Sequence, residues 1–207
     1  MSTRNKILLG ILIFFVSYPV FLLVWIHIEA YYGGVISAFG GRLAGWSMGA
    51  TMEKIESGKD GSKITFAKRV LNKNGLQEVF HFGGGIYHVS EYAFNIPLTF
   101  GLIVSLLPFF HWRKLSYLEA GVILAAIHTL FVYLFVCRGI YVTLTKSGLV
   151  PHSFVKQSIL DFVWSFTNLL IIRFEPFLII GYLWLRNIYR RSNADRRASG
   201  KARARHR

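Results

Sequence analysis

The apolar residues fall into four long blocks separated by one short polar stretch and two longer mixed segments. They run from Ile7 to Ile28, Ala93 to Phe110, Tyr117 to Cys137 and Phe162 to Leu185. A bilayer hydrocarbon core about 30 Å thick takes roughly 20 helical residues at about 1.5 Å each, and every backbone polar group inside it must bond within its own segment. The pattern therefore predicts a membrane α-protein of four transmembrane helices, with a small α+β exported domain between the first and second. The first block carries no formal charge and follows Arg4 and Lys6. It is full length and ends in Trp25, His27, Glu29, Tyr31 and Tyr32, so it reads as a retained anchor and not as a cleaved signal.

Between the first two blocks, Gly33 to Tyr92 changes to mixed charge and regular turn residues. Val35, Phe39, Leu43 and Trp46 recur at helical spacing with Ile36 beside them, which predicts an amphipathic helix ending near Gly58. Lys63 to Leu71 reads as a strand, Asn72 to Gly75 as a tight turn, and Leu76 to Phe82 as the returning strand of a hairpin. A third strand is expected over Ile86 to Tyr92. The organisation is an N-terminal anchor over 1–32, an exported α+β domain over 33–92, a three-helix membrane region over 93–186 and a basic tail over 187–207. A 60-residue segment with few large apolar groups buries about 60% of its surface at best, so this domain is expected to lean on the membrane or on a partner.

Charge sharpens the topology. The chain has 207 residues and a net charge of +14. With the N-terminus inside, the cytoplasmic side holds Arg4, Lys6, Arg113, Lys114 and the nine Lys and Arg residues from Arg186 to Arg207. Both termini are therefore expected in the cytoplasm. The tail sets nine cations against Asp195 and is expected to be disordered and drawn to anionic lipid, at about 1 kcal/mol per basic residue near the surface. Nucleic acid is not an expected partner, because Tyr189 is the tail's only stacking side chain.

Candidate chemistry is sparse. Cys137 is the single cysteine, so no intramolecular disulfide forms. His81 and His88 with Glu78 and Glu91 lack the tight spacing of a metal site and read as solvated strand residues. Gly83 to Gly85 reads as a flexible loop, since a dinucleotide fingerprint needs spaced glycines between strand and helix. No catalytic set, cofactor or metal is expected.

The membrane blocks themselves carry the unusual residues. A charge inside a span costs about 2.5–3.5 kcal/mol on insertion scales, so each needs a partner or a wet cavity. His128 in the third block and Asn168, Arg173 and Glu175 in the fourth are the candidate intramembrane polar and partner-binding residues. Antiparallel spans place His128 and Arg173 at similar depth. At 100° per residue Arg173 and Glu175 lie about 200° apart, whereas Asn168 and Glu175 share a face. Pro176 removes the backbone bond to Ile172 and kinks the helix beside the charges. Arg173 either meets another protein or, in a kinked bundle, is neutralised together with Glu175 and His128. Glu119 is expected at the cytoplasmic interface.

The anchor, the short exported segment, the join Tyr92-Ala-Phe-Asn-Ile-Pro-Leu98 and the basic C-terminus together resemble the exosortase H-associated membrane proteins of bacteria. The resemblance implies the inner membrane as location and an accessory or assembly role beside a protein-sorting transpeptidase. Exosortases are built around Cys, Arg and His, which makes Cys137, Arg138 and His128 an alternative reading as a membrane-embedded cysteine transpeptidase or protease. Nine residues separate His128 from Cys137, about 13 Å along one helix and on opposite faces, so the two cannot meet directly. His152 would have to approach from the following loop. A small transporter subunit using His128, Arg173 and Glu175 as an ion path is a third reading.

Overall fold

A computed structural model describes residues 2–58, 61–71, 77–87, 93–110, 112 and 114–205. Helix α1 runs without a break from Thr3 to Met48. Ser2 caps it by accepting a hydrogen bond from the Asn5 N–H at 3.4 Å, and it ends at Gly49, whose φ of 63° lies in the left-handed region that glycine enters at no steric cost. The anchor and the helix expected after Gly33 are thus one element, about 69 Å long at 1.5 Å per residue.

In its second half Ile36 is buried as the amphipathic pattern expects, but the rest of the expected apolar stripe faces outward. Phe39 is 60% and Trp46 83% exposed, with Val35 and Leu43 exposed beside them, while Gly33, Ser37, Gly40, Gly41, Ala44 and Gly45 are buried. The physical reason is the solvent. In water a helix buries its large apolar residues, but lipid is as apolar as leucine, and helices in a bilayer pack through small residues that let backbones approach. A Cβ on Gly40 would stand 2.8 Å from Val132 Cγ1, so this crossing is as close as glycine allows.

The stretch after Gly49 is strand, not the end of a helix. Strand β1 spans Thr51–Gly58, β2 Gly61–Leu71 and β3 Gln77–Tyr87, in an antiparallel sheet ordered β1-β2-β3. The expected hairpin is present as β2 and β3, with Phe66 opposite Phe82 and Ala67 opposite His81. Its turn at 72–75 lies outside the described residues. Gly83 to Gly85, expected as a loop, continue β3, and Gly83 pairs with Thr65. Of the strand expected over 86–92, Ile86 and Tyr87 belong to β3, and the rest lies outside the described residues. Ile64, Phe66 and Phe82 form the buried face of the sheet, and Ile64 and Phe66 rest on Gly41 and Gly45 at the end of α1. The sheet thus borrows the glycine face of α1 to complete its core.

Helix α2 covers Asn95–Ser105, α3 Lys114–Lys146 and α4 Phe154–Phe166; a π-helical turn over Thr167–Ile172 joins α4 to α5, Arg173–Arg205. Three helical runs are long and apolar enough to cross a membrane: Thr3–Met48, Lys114–Lys146 and Phe154–Arg190. These match the first, third and fourth apolar blocks and make the chain a helical membrane protein with a small sheet. The second block holds only the 11 helical residues of α2, roughly 16 Å, followed by turns. The basic tail, expected to be disordered, prolongs α5 as helix up to Arg205. Arg, Lys and Ala propagate a helix readily once the costly nucleus exists upstream.

Contacts fix the directions. α1 runs parallel to α3, with Tyr32 at His128, Gly40 at Val132 and Ser47 at Cys137. α2 descends antiparallel to α1, from Gly101 at Tyr18 to Ser105 at Gly10. The α4–α5 run returns antiparallel to α3. Two ion pairs, Arg138 with Asp161 and Glu119 with Arg186, tie its two ends to α3. Along α3 the paired residues are 19 positions apart, about 28 Å and close to the thickness of a hydrocarbon core.

Candidate functional site: a buried polar clamp

Pro176 lies within α5 and has no N–H to offer the carbonyl of Ile172 four residues back. An unpaired carbonyl in an apolar interior is costly, and the fold supplies a donor from outside the helix. The side-chain amide of Asn95, at the start of α2, donates to Ile172 O. The same nitrogen donates to Glu175 Oε2 at 3.1 Å. Proline and asparagine, 81 positions apart in the chain, thus form one capping arrangement. Thr99 steadies it by donating its hydroxyl to Asn95 O at 2.8 Å.

Glu175 is 0% and His128 2% exposed, and Glu175 Oε2 lies 3.1 Å from His128 Nε2. On the other side of the imidazole, Nδ1 is 2.8 Å from the Tyr32 hydroxyl of α1. A low-dielectric interior favours a net-neutral pair. One proton shared between Nε2 and Oε2 gives that in either placement, as imidazolium with carboxylate or imidazole with carboxylic acid. In both, Nδ1–H donates to the Tyr32 oxygen. The imidazole and phenol rings also meet in a T-shaped contact at a centroid distance of 5.8 Å, and Trp25 makes a T-shaped contact with Tyr32 at 5.2 Å. Tyr32, Asn95, His128 and Glu175 therefore join α1, α2, α3 and α5 at a single level.

The structure sorts the expected residues into those that meet and those that do not. His128 and Glu175 are brought together. Asn168 is half-buried and, among the described residues, makes no side-chain hydrogen bond to either; it lies inside the π turn, where the seven-residue repeat of a regular helix does not hold. Arg173 points outward and, among the described residues, has no ion pair, so it neutralises neither Glu175 nor His128. Glu119 pairs with Arg186. The sequence pattern does not single out Tyr32, at the end of the anchor, or Asn95, in the join before the second block, as members of this cluster. The signal for Asn95 was the carbonyl that Pro176 leaves free, which demands a donor from elsewhere; nothing in the local pattern singles out Tyr32.

The cysteine and the sheet histidine have other company. Cys137 is buried with its Sγ 3.5 Å from Ser47 Oγ, and His152 is engaged by Gln157 at 2.8 Å. Arg138 is held by Asp161 and stacks over the Trp164 ring at 4.9 Å. His81 Nδ1 meets Glu53 Oε2 at 2.8 Å, and no cluster of three metal-ligating side chains occurs among the described residues. His88 and Glu91 lie outside the described residues. Comparison with family models, with curated proteins and with solved structures gives no match.

Proposed function

We propose that the chain is a non-enzymatic accessory or assembly subunit of a bacterial inner-membrane protein-sorting system of the exosortase type. In this reading it crosses the membrane four times, with α2 and the turns after it as the second pass, both termini in the cytoplasm and the basic tail on anionic lipid. The observation that carries the assembly role is the division of labour between two residues of one turn. Glu175 is turned inward and spent on holding four segments together, while Arg173 is turned outward. The sorting context rests on the resemblance of the anchor, the Tyr92 to Leu98 join and the basic C-terminus.

The ion-path reading is less well supported by the same geometry. Tyr32, Asn95, His128 and Glu175 lie across the bundle at one level, and the buried residues next along α3, at the end of the π turn and in α5, Leu124, Val132, Ile172 and Ile179, are apolar. A path would need polar groups stacked along the bundle axis. The thiol reading requires Cys137 to have a base, and the side chains that hydrogen-bond it are the hydroxyls of Ser47 and Tyr133.

Co-purification from native membranes tests the assignment: recovery of a sorting transpeptidase is expected, and recovery of no membrane protein overturns it. Replacement of Cys137 by Ser is expected to leave function intact; complete loss at normal protein level would restore the enzyme reading. Reporter fusions at Gly75 should report the exported side, and those at Lys114 and after Arg207 the cytoplasm.

A further inference from the structure

We infer that the outward face around Arg173 docks a transmembrane helix of another protein that carries an Asp or Glu at matching depth. The inference rests on the assembly role and names the chemistry of the partner. Arg173 is exposed, and so are the apolar side chains around it, Leu169, Leu170, Phe174 and Phe177. It stands 12 residues after Asp161 and 13 before Arg186, midway between the two ion pairs that mark the ends of the run. Each end is about 18 Å away along the helix, further than an arginine side chain reaches. A guanidinium placed in the middle of a large apolar face calls for a counter-charge delivered to it, and a carboxylate can accept two of its N–H groups at once.

Three sources of that counter-charge can be compared. Among the described residues, three carboxylates of the apolar helices are engaged: Glu119 by Arg186, Asp161 by Arg138, Glu175 by His128 and Asn95. The same engagement removes them as ligands for a second copy. Glu29 is half-buried, on the side of α1 that carries buried Trp25 and Gly33, and as a source of counter-charge in a second copy it is tested by the dimerisation outcome below. Lipid phosphates belong near the level of the ion pairs, not at Arg173. A helix from a partner brings a carboxylate to the required depth and covers Leu169, Leu170 and Phe177 in the same step.

The test uses the purified full-length chain in phosphatidylcholine nanodiscs with labelled polyleucine transmembrane peptides as probes. One peptide carries a central Asp, a second is all leucine, and a third carries a central Lys. The wild type should prefer the Asp peptide over the leucine peptide by about tenfold or more in Kd. The preference should vanish in Arg173→Leu, weaken in Arg173→Lys, which lacks the fork geometry, and pass to the Lys peptide in Arg173→Glu. Arg173→Leu makes the span more apolar, and normal insertion of this variant, checked by protease protection, separates lost recognition from misfolding. Equal binding of Asp and leucine peptides to the wild type, or an Asp preference that survives Arg173→Leu, overturns the proposal. Loss of the preference on adding phosphatidylglycerol would assign the face to a lipid headgroup instead. Dimerisation of the wild type that Arg173→Leu abolishes would assign it to a second copy. Failure of the assembly role reads out separately, as native co-purification that recovers no membrane protein.

Discussion

The protein contains the same chemical pair twice, and the two copies sit in opposite surroundings. In the helix bundle His128 meets Glu175 at 3.1 Å with the side chains 2% and 0% exposed; in the sheet His81 meets Glu53 at 2.8 Å with side chains 58% and 39% exposed. The shorter contact is the less consequential one. On the sheet, water competes for both groups and screens their attraction, so the pair adds little to what two solvated side chains would have. In the bundle, no water replaces a lost partner, and each group depends on the others for its hydrogen bonds. Distance alone therefore ranks the two pairs in the wrong order.

The sharpest way to break this comparison is Glu175→Ala, which strips the partner from His128 Nε2 and leaves the Asn95 amide with Ile172 O alone. Removing one member of a buried pair costs about 3 kcal/mol or more, and we expect loss of that order in reversible unfolding by steric trapping in bicelles. Glu175→Leu combined with His128→Phe should recover much of it, because an apolar pair leaves only the Tyr32 hydroxyl unpaired while the Asn95 amide keeps Ile172 O. No recovery would show that the polar network fixes the helix arrangement and not merely its stability.

Asn95→Leu comes next. It uncaps the carbonyl that Pro176 leaves free, with an expected cost of roughly 1–3 kcal/mol in the same measurement. Combined with Pro176→Ala, which restores the backbone donor to Ile172 O, the effect should shrink to that of the lost Asn95–Glu175 hydrogen bond, about 1 kcal/mol, and an undiminished cost would refute the capping role. Gly40→Val serves as a packing counterpart without polar change. Its side chain would press on Val132 Cγ1 and Thr129 O, and overpacking of this kind costs about 1–3 kcal/mol.

At the sheet the expected effects are small. Glu53→Gln should shift stability by no more than about 0.2–1 kcal/mol, and less at high salt. A loss matching that of Glu175→Ala would remove the contrast between the two pairs. Lys54 and Glu56 form a second exposed pair at 2.6 Å, and the hydrogen bond and charge of Lys54 hold the Glu56 carboxyl below the usual carboxylate range. A depressed carboxyl stabilises the fold at neutral pH, and that contribution is lost as acid protonates Glu56. Lys54→Ala should therefore lower the neutral region of a thermal-stability profile very slightly, and the difference from the wild type should vanish at acid pH, where Glu56 is protonated in both.

The parts of the fold governed by period and turn chemistry were readable in the sequence. The β2–β3 hairpin, three apolar runs and the opposite facing of Arg173 and Glu175 all follow from local spacing. Pro176 likewise announced a free carbonyl at Ile172. The donor, Asn95, lies beyond any local window, and so does Tyr32, because only the packing of α1 and α2 against α3 and α5 brings them to His128. The second half of α1 misled for a different reason. Val35, Phe39, Leu43 and Trp46 form a periodic stripe that water would bury, whereas the informative positions were the small ones, Gly33, Ser37, Gly41 and Gly45, four apart.

The π turn over Thr167–Ile172 amounts to one residue more than a regular helix would use, and it works as a clutch between the two halves of the last span. Everything after it is rotated by about 100° relative to everything before it. Deleting a single residue from this turn would leave composition, length and hydropathy almost untouched. It would nevertheless turn the following half-helix, swinging Glu175 off His128 while Asp161 kept its hold on Arg138. One codon in an apolar stretch thus controls which charge the protein keeps for itself and which it presents to the outside.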